Sequence, residues 1–261
     1  MQTIPLGKKT KYITTYTPDL LYPIPRKKKE LPFYGYDIWN AYDLSWLDEK
    51  GKPEVGIGEF VFPADSENLI ESKSLKLYLN SFNNSKFSSL GAVIKTIATD
   101  LSASVKGNVI VKITAINNYS VKLYNFSGTC LDNIDISCNK YQINPDYLFV
   151  EDTEIEEALY SHLLKSNCPV TGQPDFGSIQ ISYTGKKINH ESLLKYIISF
   201  RNHNEFHEQC IERIFVDIMH KCTPKQLTVH GRYTRRGGLD INPFRSTEQR
   251  FQIDNKRLSR Q

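Results

Sequence analysis

Several features that would sort this chain into a large class are missing from it. No apolar run approaches the length that a membrane-spanning helix needs. Lys8, Lys9 and Lys11 follow Met1 without the apolar core of a signal peptide, so no secretory leader is expected. Cysteine is sparse and odd in number: five, at positions 130, 138, 168, 210 and 222, with no C-x-x-C pair. That usage suits free thiols in a reducing cytoplasm better than a disulfide framework. A glycine-rich phosphate loop is absent too. Gly56-Ile57-Gly58 is the only G-x-G, it lies in a strand-like stretch, and no third glycine follows, so a Rossmann-type site is not supported. Charge of one sign is not in excess. A net charge of +4 over 261 residues permits an anionic ligand without arguing for a nucleic-acid coat. Metal-ligand spacing is also wanting. His207 and Cys210 share a helical face, but His220 lies thirteen residues from His207, roughly 220° further round. Those residues and Cys222 cannot converge from one helix, so no metal is expected.

What is present is an ordered, mixed pattern. The length allows one large or two small domains with a sizeable core. Residues 1–35 read as an irregular arm, punctuated by prolines and carrying a basic knot, Arg26-Lys27-Lys28-Lys29, that reads as a solvated loop. Residues 36–127 read as a first module in the order ββααββ. Strands are expected over 37–47 and 55–62, then a helix that 68–73 leads into, with Leu75, Leu79 and Phe82 on one face, a second helix over 88–101, and strands over 107–116 and 120–127. Residues 128–155 read as a connector, with Cys130 and Cys138 as structural thiols. Residues 156–261 read as a second module with a C-terminal tail. Its strands are expected over 157–166 and 176–183, its helices over 190–201 and 204–221, and a further strand over 226–234.

Two echoes link the modules. Gly51-Lys52-Pro53-Glu54-Val55-Gly56 and Gly172-Gln173-Pro174-Asp175-Phe176-Gly177 share the pattern G-x-P-acid-apolar-G, 121 residues apart. Ser74-Leu75-x-x-Tyr78-x-x-Ser81-Phe82 recurs 118 residues on, as Ser192-Leu193-x-x-Tyr196-x-x-Ser199-Phe200. Two matches in order, in nearly one register, point to a tandem duplication. The expected fold is therefore α+β, with two duplicated modules of antiparallel sheet and paired helices.

The loop Ser166–Gly177 is where chemistry concentrates. Cys168 precedes Pro169, which disfavours helix at the cysteine, and Gly172 and Pro174 add turn signals. The loop thus offers a thiol, Cys168, and an acid, Asp175: a nucleophile and a proton donor, or else an incidental cysteine and a turn aspartate. Aligning the echoes sets Cys168 against Leu47, Asp175 against Glu54, Phe206-His207-Glu208 against Phe87-Ser88-Ser89, and Glu71-Ser72-Lys73 against Asn189-His190-Glu191. A thiol and a His-Glu pair in one half and a Glu-Ser-Lys entry in the other suggest one composite site, from one chain or two. His207 ends the apolar face formed by Ile211, Ile214, Phe215 and Ile218; the plain alternative is a half-buried histidine beside a first-turn glutamate. Arg232 to Gly238, a strand end with arginines and a flexible turn, is the candidate anion site, or a solvated loop.

These stretches, with Glu71-Ser72-Lys73-Ser74-Leu75-Lys76-Leu77-Tyr78 and Arg235-Arg236-Gly237-Gly238, closely resemble the NADPH-dependent 7-cyano-7-deazaguanine reductases of queuosine biosynthesis in their long two-module form. The resemblance runs over nearly the whole chain. It implies tandem tunnelling-fold (T-fold) modules and a four-electron reduction of a nitrile to an amine. By that resemblance Cys168 would form a covalent thioimide on the nitrile carbon and Asp175 would protonate the nitrogen. NADPH would deliver two successive hydrides. Ile70, Glu71, Ser72, His207 and Glu208 would hold the guanine-like substrate. Ser72, Lys73, Arg236 and Gly237 would hold the cofactor. A cytoplasmic homodimer with no metal and no stable nucleic-acid partner is implied. Two other readings stay open: a GTP cyclohydrolase or pterin-type enzyme of the same fold, most of which need a metal, and a non-enzymatic tRNA-binding module suggested by the basic arm.

Overall fold

A computed structural model describes residues 12–26, 32–250, 252 and 254–261. The chain is mixed α+β, and its two compact units are described in turn. The first gathers residues from 12–26, 37–121 and 235–240; the second gathers 32–36, 122–234 and most of 241–261.

In the first unit the order is β1 (Pro23–Pro25), β2 (Tyr34–Leu47), β3 (Pro53–Pro63), β4 (Asn68–Ile70), α1 (Ser72–Asn80), α2 (Leu90–Val105) and β5 (Ile110–Ala115). Strands run β5-β3-β2, while β1 and β4 form a separate antiparallel pair. The helices form because apolar residues recur at helical spacing and each start is capped. Glu71 accepts from Lys73 N and Ser74 N, and Ser89 accepts from Ala92 N. Leu75, Leu79, Val93, Ile97 and Leu101 are buried.

In the second unit the order is β6 (Leu123–Tyr124), β7 (Thr129–Cys130), β8 (Val150–Ser161), β9 (Lys165–Asn167), β10 (Pro174–Ile188), α3 (His190–Ser199), α4 (His207–Cys222), β11 (Gln226–Tyr233), β12 (Leu239–Ser246) and β13 (Arg257–Leu258). The sheet runs β12-β11-β10-β8-β7, and β9 pairs with the start of β10. Ile179, Ile181 and Tyr183 on β10 and Leu227, Val229 and Tyr233 on β11 are buried. This is the period-2 face that strands turn to a core. The α4 stripe of Ile211, Ile214, Phe215 and Ile218 is buried at helical spacing.

Hydrogen bonds recur between the units beyond the two echoes. Tyr78 Oη donates to Asp100 (2.5 Å) and Tyr196 Oη to Asp217 (2.6 Å), each joining the first helix of a unit to its second. Ser81 Oγ and Ser199 Oγ each donate back to the tyrosine carbonyl at 2.6 Å. The second helix ends in each case on a left-handed non-glycine residue, Lys106 (φ 52°) or Thr223 (φ 45°). The recurrence reaches into segments read as arm and connector. Thr17-Pro18-Asp19-Leu20-Leu21-Tyr22 and Asn144-Pro145-Asp146-Tyr147-Leu148-Phe149 both form a 3-10 turn. The carbonyl that follows, of Tyr22 or Phe149, accepts from the N–H of Glu71 or Asn189. Pro23 then pairs with Ile70, and Val150 with Ile188.

Several expectations need correction. Leu47 is not the counterpart of Cys168. Leu47 N donates to Ser85 O and Leu47 O accepts from Phe87 N; in the second unit Asn167 makes those bonds, with His203 and Glu205. In the turns that follow, Asp48 N bonds Lys52 O and Cys168 N bonds Gln173 O, so Cys168 stands where the first unit has Asp48. The one-residue longer second loop shifted the alignment. Likewise Ser89 and Phe206 occupy the same cap position, which sets His207 against Leu90. The strand expected over 120–127 shrinks to Leu123–Tyr124 and pairs in parallel with β13. The strand expected from Glu157 begins at Val150. Its run of acids reads as a linker, but Asp152 and Glu151 are matched by Lys186 and Lys187 on β10. β12 was not expected, because Pro243 interrupts its alternation; its register with β11 covers Phe244 to Ser246. Arg26 is no solvated residue: its guanidinium meets buried Asp37 at 2.6 Å. Lys27 to Lys29 lie outside the described residues.

Candidate active site

The second unit brings together a hairpin and a helix start. β9 and β10 pair with Ser166 opposite Asp175 and Asn167 opposite Pro174. The turn beyond is closed by Cys168 N to Gln173 O (2.8 Å) and Gly172 N to Cys168 O (3.0 Å). Cys168 is the first residue beyond β9, and its N–H bond to Gln173 O continues the pairing of Asn167 with Pro174, so the period-2 pattern sets it on the side of Ser166 and its partner Asp175. Cys168 is 2% exposed and Asp175 6%. Next, Asn167 N bonds His203 O (2.8 Å) and Glu205 N bonds Asn167 O (3.2 Å). Those two bonds tie the end of β9 to the segment entering α4. Glu205 fixes that segment further. Burial alone would raise its carboxyl, but hydrogen bonds from Arg213 and His203 hold it below the ordinary range.

His207 and Glu208 open α4, and Glu208 is 3% exposed. His207 Nε2 lies 3.5 Å from Asp175 Oδ2, which brings together an acid and an imidazole thirty-two residues apart. The other helix-borne thiols are poor nucleophiles. Burial pushes Cys210 up to about 12 and Cys222 up to about 11, so both remain protonated thiols near neutral pH.

In the first unit, Ile70 ends β4 and Glu71 caps α1. Glu71 is fully buried, and burial raises its carboxyl above the ordinary range despite backbone bonds from Lys73 and Ser74. Asn189 plays the same capping role for α3, accepting from Ser192 N. The difference between Glu71 and Asn189 is therefore one of charge on a shared structural position. Each Glu71 oxygen has one backbone donor in the helix, and the Ser72 side chain also donates to the carboxylate.

The arginine turn divides. Arg232 is buried in the second unit, held by Gln261 Oε1 (2.9 Å) and Asn255 Oδ1 (3.1 Å), which removes it from the anion site expected of it. Arg236, Gly237, Gly238 and Leu239 belong to the first unit through residue 240. Arg236 N and Leu239 O, and Leu239 N and Arg236 O, close a tight turn with positive φ at both glycines. The Lys76 side chain lies beside Gly237, and Arg235 stacks on the Tyr42 ring at 3.5 Å. Tyr42 is itself held by Asp240, to which its hydroxyl donates at 2.6 Å. Lys76, three residues beyond Lys73 on the same helical face, could have been found from spacing alone. Tyr42 and Asp240 could not.

Comparison with known proteins identifies the family. A family model described as "Nitrile reductase, 7-cyano-7-deazaguanine-reductase N-term" matches residues 12–113, and one described as "QueF-like protein" matches 174–252. Three curated relatives are named NADPH-dependent 7-cyano-7-deazaguanine reductase. The protein of Coxiella burnetii (strain CbuK_Q154) is 56% identical over 98% of this chain and 96% of its own. That of Dechloromonas aromatica (strain RCB) is 55% identical over 98% and 95%. That of Legionella pneumophila (strain Corby) is 54% identical over 98% and 94%. On identity of this order along nearly the full length of both sequences, the chain belongs to the NADPH-dependent 7-cyano-7-deazaguanine reductase family.

Proposed function

We propose that this chain reduces the nitrile of 7-cyano-7-deazaguanine to the aminomethyl group, as the names of its relatives indicate, in the route to queuosine. The observation that supports the reading is the hairpin that carries Asp175 on its ladder and Cys168 in its turn, with His207 against the acid. A nitrile carbon is a weak electrophile. The Cys168 thiolate adds to it, forming a C–S bond as one C–N π bond breaks, and the nitrogen takes its proton from the Asp175 carboxylic acid, leaving a carboxylate. The product is a covalent thioimide, an imine-like group that accepts hydride more readily. Burial of Cys168 and Asp175 keeps water from competing for that group. Glu208 and His207 hold the donor edge of the guanine-like ring, because a carboxylate accepts from ring N–H and amino groups. Glu71, with Ile70 and Ser72, is assigned to the same ring.

The first unit's turn suits a phosphate-bearing cofactor. Lys76, Arg235 and Arg236 gather at this turn; Gly237 faces the Lys76 side chain, the space a Gly238 Cβ would take is filled by the Asp43 carboxylate that pairs with Lys76, and guanidinium forks match phosphate oxygens. Ser72, Lys73, Arg236 and Gly237 would hold NADPH, which when bound supplies the hydrides. Tandem T-fold modules account for the hydrogen bonds that recur between the units, and five free cysteines suit the cytoplasm. A homodimer is the assembly we assign. The test is to mix the protein with the nitrile alone and weigh it intact. A mass increase equal to one substrate molecule is expected, and its absence would sink the mechanism.

A further inference from the structure

Beneath the Asp175–His207 pair lies a side chain that the reading above leaves without a role. Tyr233 ends β11 with 0% exposure. Its ring centroid is 4.1 Å from that of His207, with the planes inclined at 58°. Two glycines make the slot it fills. Tyr233 pairs with Gly177 across the sheet, and a Cβ on Gly177 would meet two Tyr233 ring atoms at 3.2 Å. A Cβ on Gly231 would meet Ile211 of α4 at 2.7 Å, so Gly231 lets α4 seat close to the strand that carries the tyrosine. The hydroxyl is within electrostatic reach of Asp175. It lies beside the Cys210 thiol and the Ser166 hydroxyl without normal hydrogen-bond geometry. Burial first, and Cys210 second, raise the phenol well above its ordinary range, so it stays protonated near neutral pH.

We infer that Tyr233 is a positioning residue whose ring is the wall that sets the His207 imidazole against Asp175. This rests on the role proposed above for His207. An imidazole on the first turn of a helix can occupy more than one staggered rotamer unless a neighbour selects one. A flat ring at 4.1 Å restricts it, while the hydroxyl contributes little. The ring, not the phenol, is thus the functional part.

The experiment measures formation of the Cys168 adduct with the nitrile alone, and kcat and KM with NADPH, in the full-length chain. Variants are Tyr233→Phe, Tyr233→Met, His207→Ala and the Tyr233→Met/His207→Ala double. Tyr233→Phe keeps the flat wall and is expected within about twofold of wild type. Tyr233→Met fills the space without a flat face. Its adduct rate and kcat should fall by about ten- to a hundredfold, the scale of small misplacements at a reacting centre. Because the tyrosine acts through the histidine, the double variant should match His207→Ala alone. Equal losses in Tyr233→Phe and Tyr233→Met, or additive losses in the double, would overturn the inference. His207→Ala at wild-type rate would instead remove the role of His207 on which it rests. If Tyr233→Met fails to fold, Gly177→Ala, which presses a methyl on the ring, carries the test; a wild-type adduct rate there would overturn the inference as well.

Discussion

The two units share a framework and part company at its ends. In both, a tyrosine on the first helix bonds an aspartate on the second, and a serine closes the turn after that tyrosine. Both second helices stop on a left-handed residue. The differences lie at three junctions. A hairpin turn built on Asp48, whose side chain accepts from Lys50 N and Lys52 N, becomes a longer turn built on Cys168. A helix start at Leu90 becomes one at His207. A cap that is Glu71 becomes Asn189. Interior bonds hold the fold and tolerate little substitution. Turn and cap positions need only local backbone donors and acceptors, so they can exchange a structural residue for a reactive one at small cost.

The comparison breaks most visibly at the turns. Cys168→Ala should abolish the covalent adduct and all turnover, whereas Cys222→Ala should keep both, since its thiol stays protonated. Intact-protein mass and NADPH oxidation check this together; turnover by Cys168→Ala would return the second turn to the structural role of the first. A smaller effect is expected at the arginine turn. Arg236→Ala should raise the KM for NADPH by roughly ten- to a hundredfold, the worth of a charged hydrogen bond of about 1.5–3 kcal/mol, and leave nitrile affinity alone. Steady-state kinetics at saturating nitrile measure it, and an unchanged KM would detach that turn from the cofactor.

The shared framework can be tested by its own symmetry. Asp100 also accepts from Tyr16 at 2.8 Å, a donor additional to Tyr78. Tyr196→Phe should therefore destabilise the protein by about 1.5–3 kcal/mol and Tyr78→Phe by about 1 kcal/mol, in urea unfolding, with adduct formation preserved in both. A larger cost for Tyr78→Phe would show that the two pairs are not energetically alike. The smallest effect is at the helix ends. Lys106→Gly and Thr223→Gly relieve a left-handed backbone and should each stabilise by about 0.5–1 kcal/mol, with Thr223 gaining more because it is β-branched. A thermal melt that moves down for either would place a side-chain contact above the backbone strain.

Local pattern carried much of this protein. Helical spacing marked the buried faces of Leu75, Leu79 and Ile211 to Ile218, and Pro169 and Gly172 marked the turn that bears Cys168, because periodicity and turn chemistry act over a few residues. The echoes between halves were legible for the same reason. Registration across an insertion was not. One extra residue in the Cys168 turn moved its partner from Leu47 to Asp48, which only the pairing of Asn167 with His203 and Glu205 decides. The 3-10 straps at Pro18 and Pro145 read as linkers, since their meaning lies in carbonyls offered to Glu71 and Asn189 far along the chain. Arg232 read as an anion ligand until Gln261 and Asn255 were found on it. Tyr233 was only one residue of the strand expected over 226–234 until His207 was found against its ring. Such contacts join residues tens of positions apart, and no local rule of spacing or charge reports them; they exist only once the sheet sets each strand's register and the helices close over it.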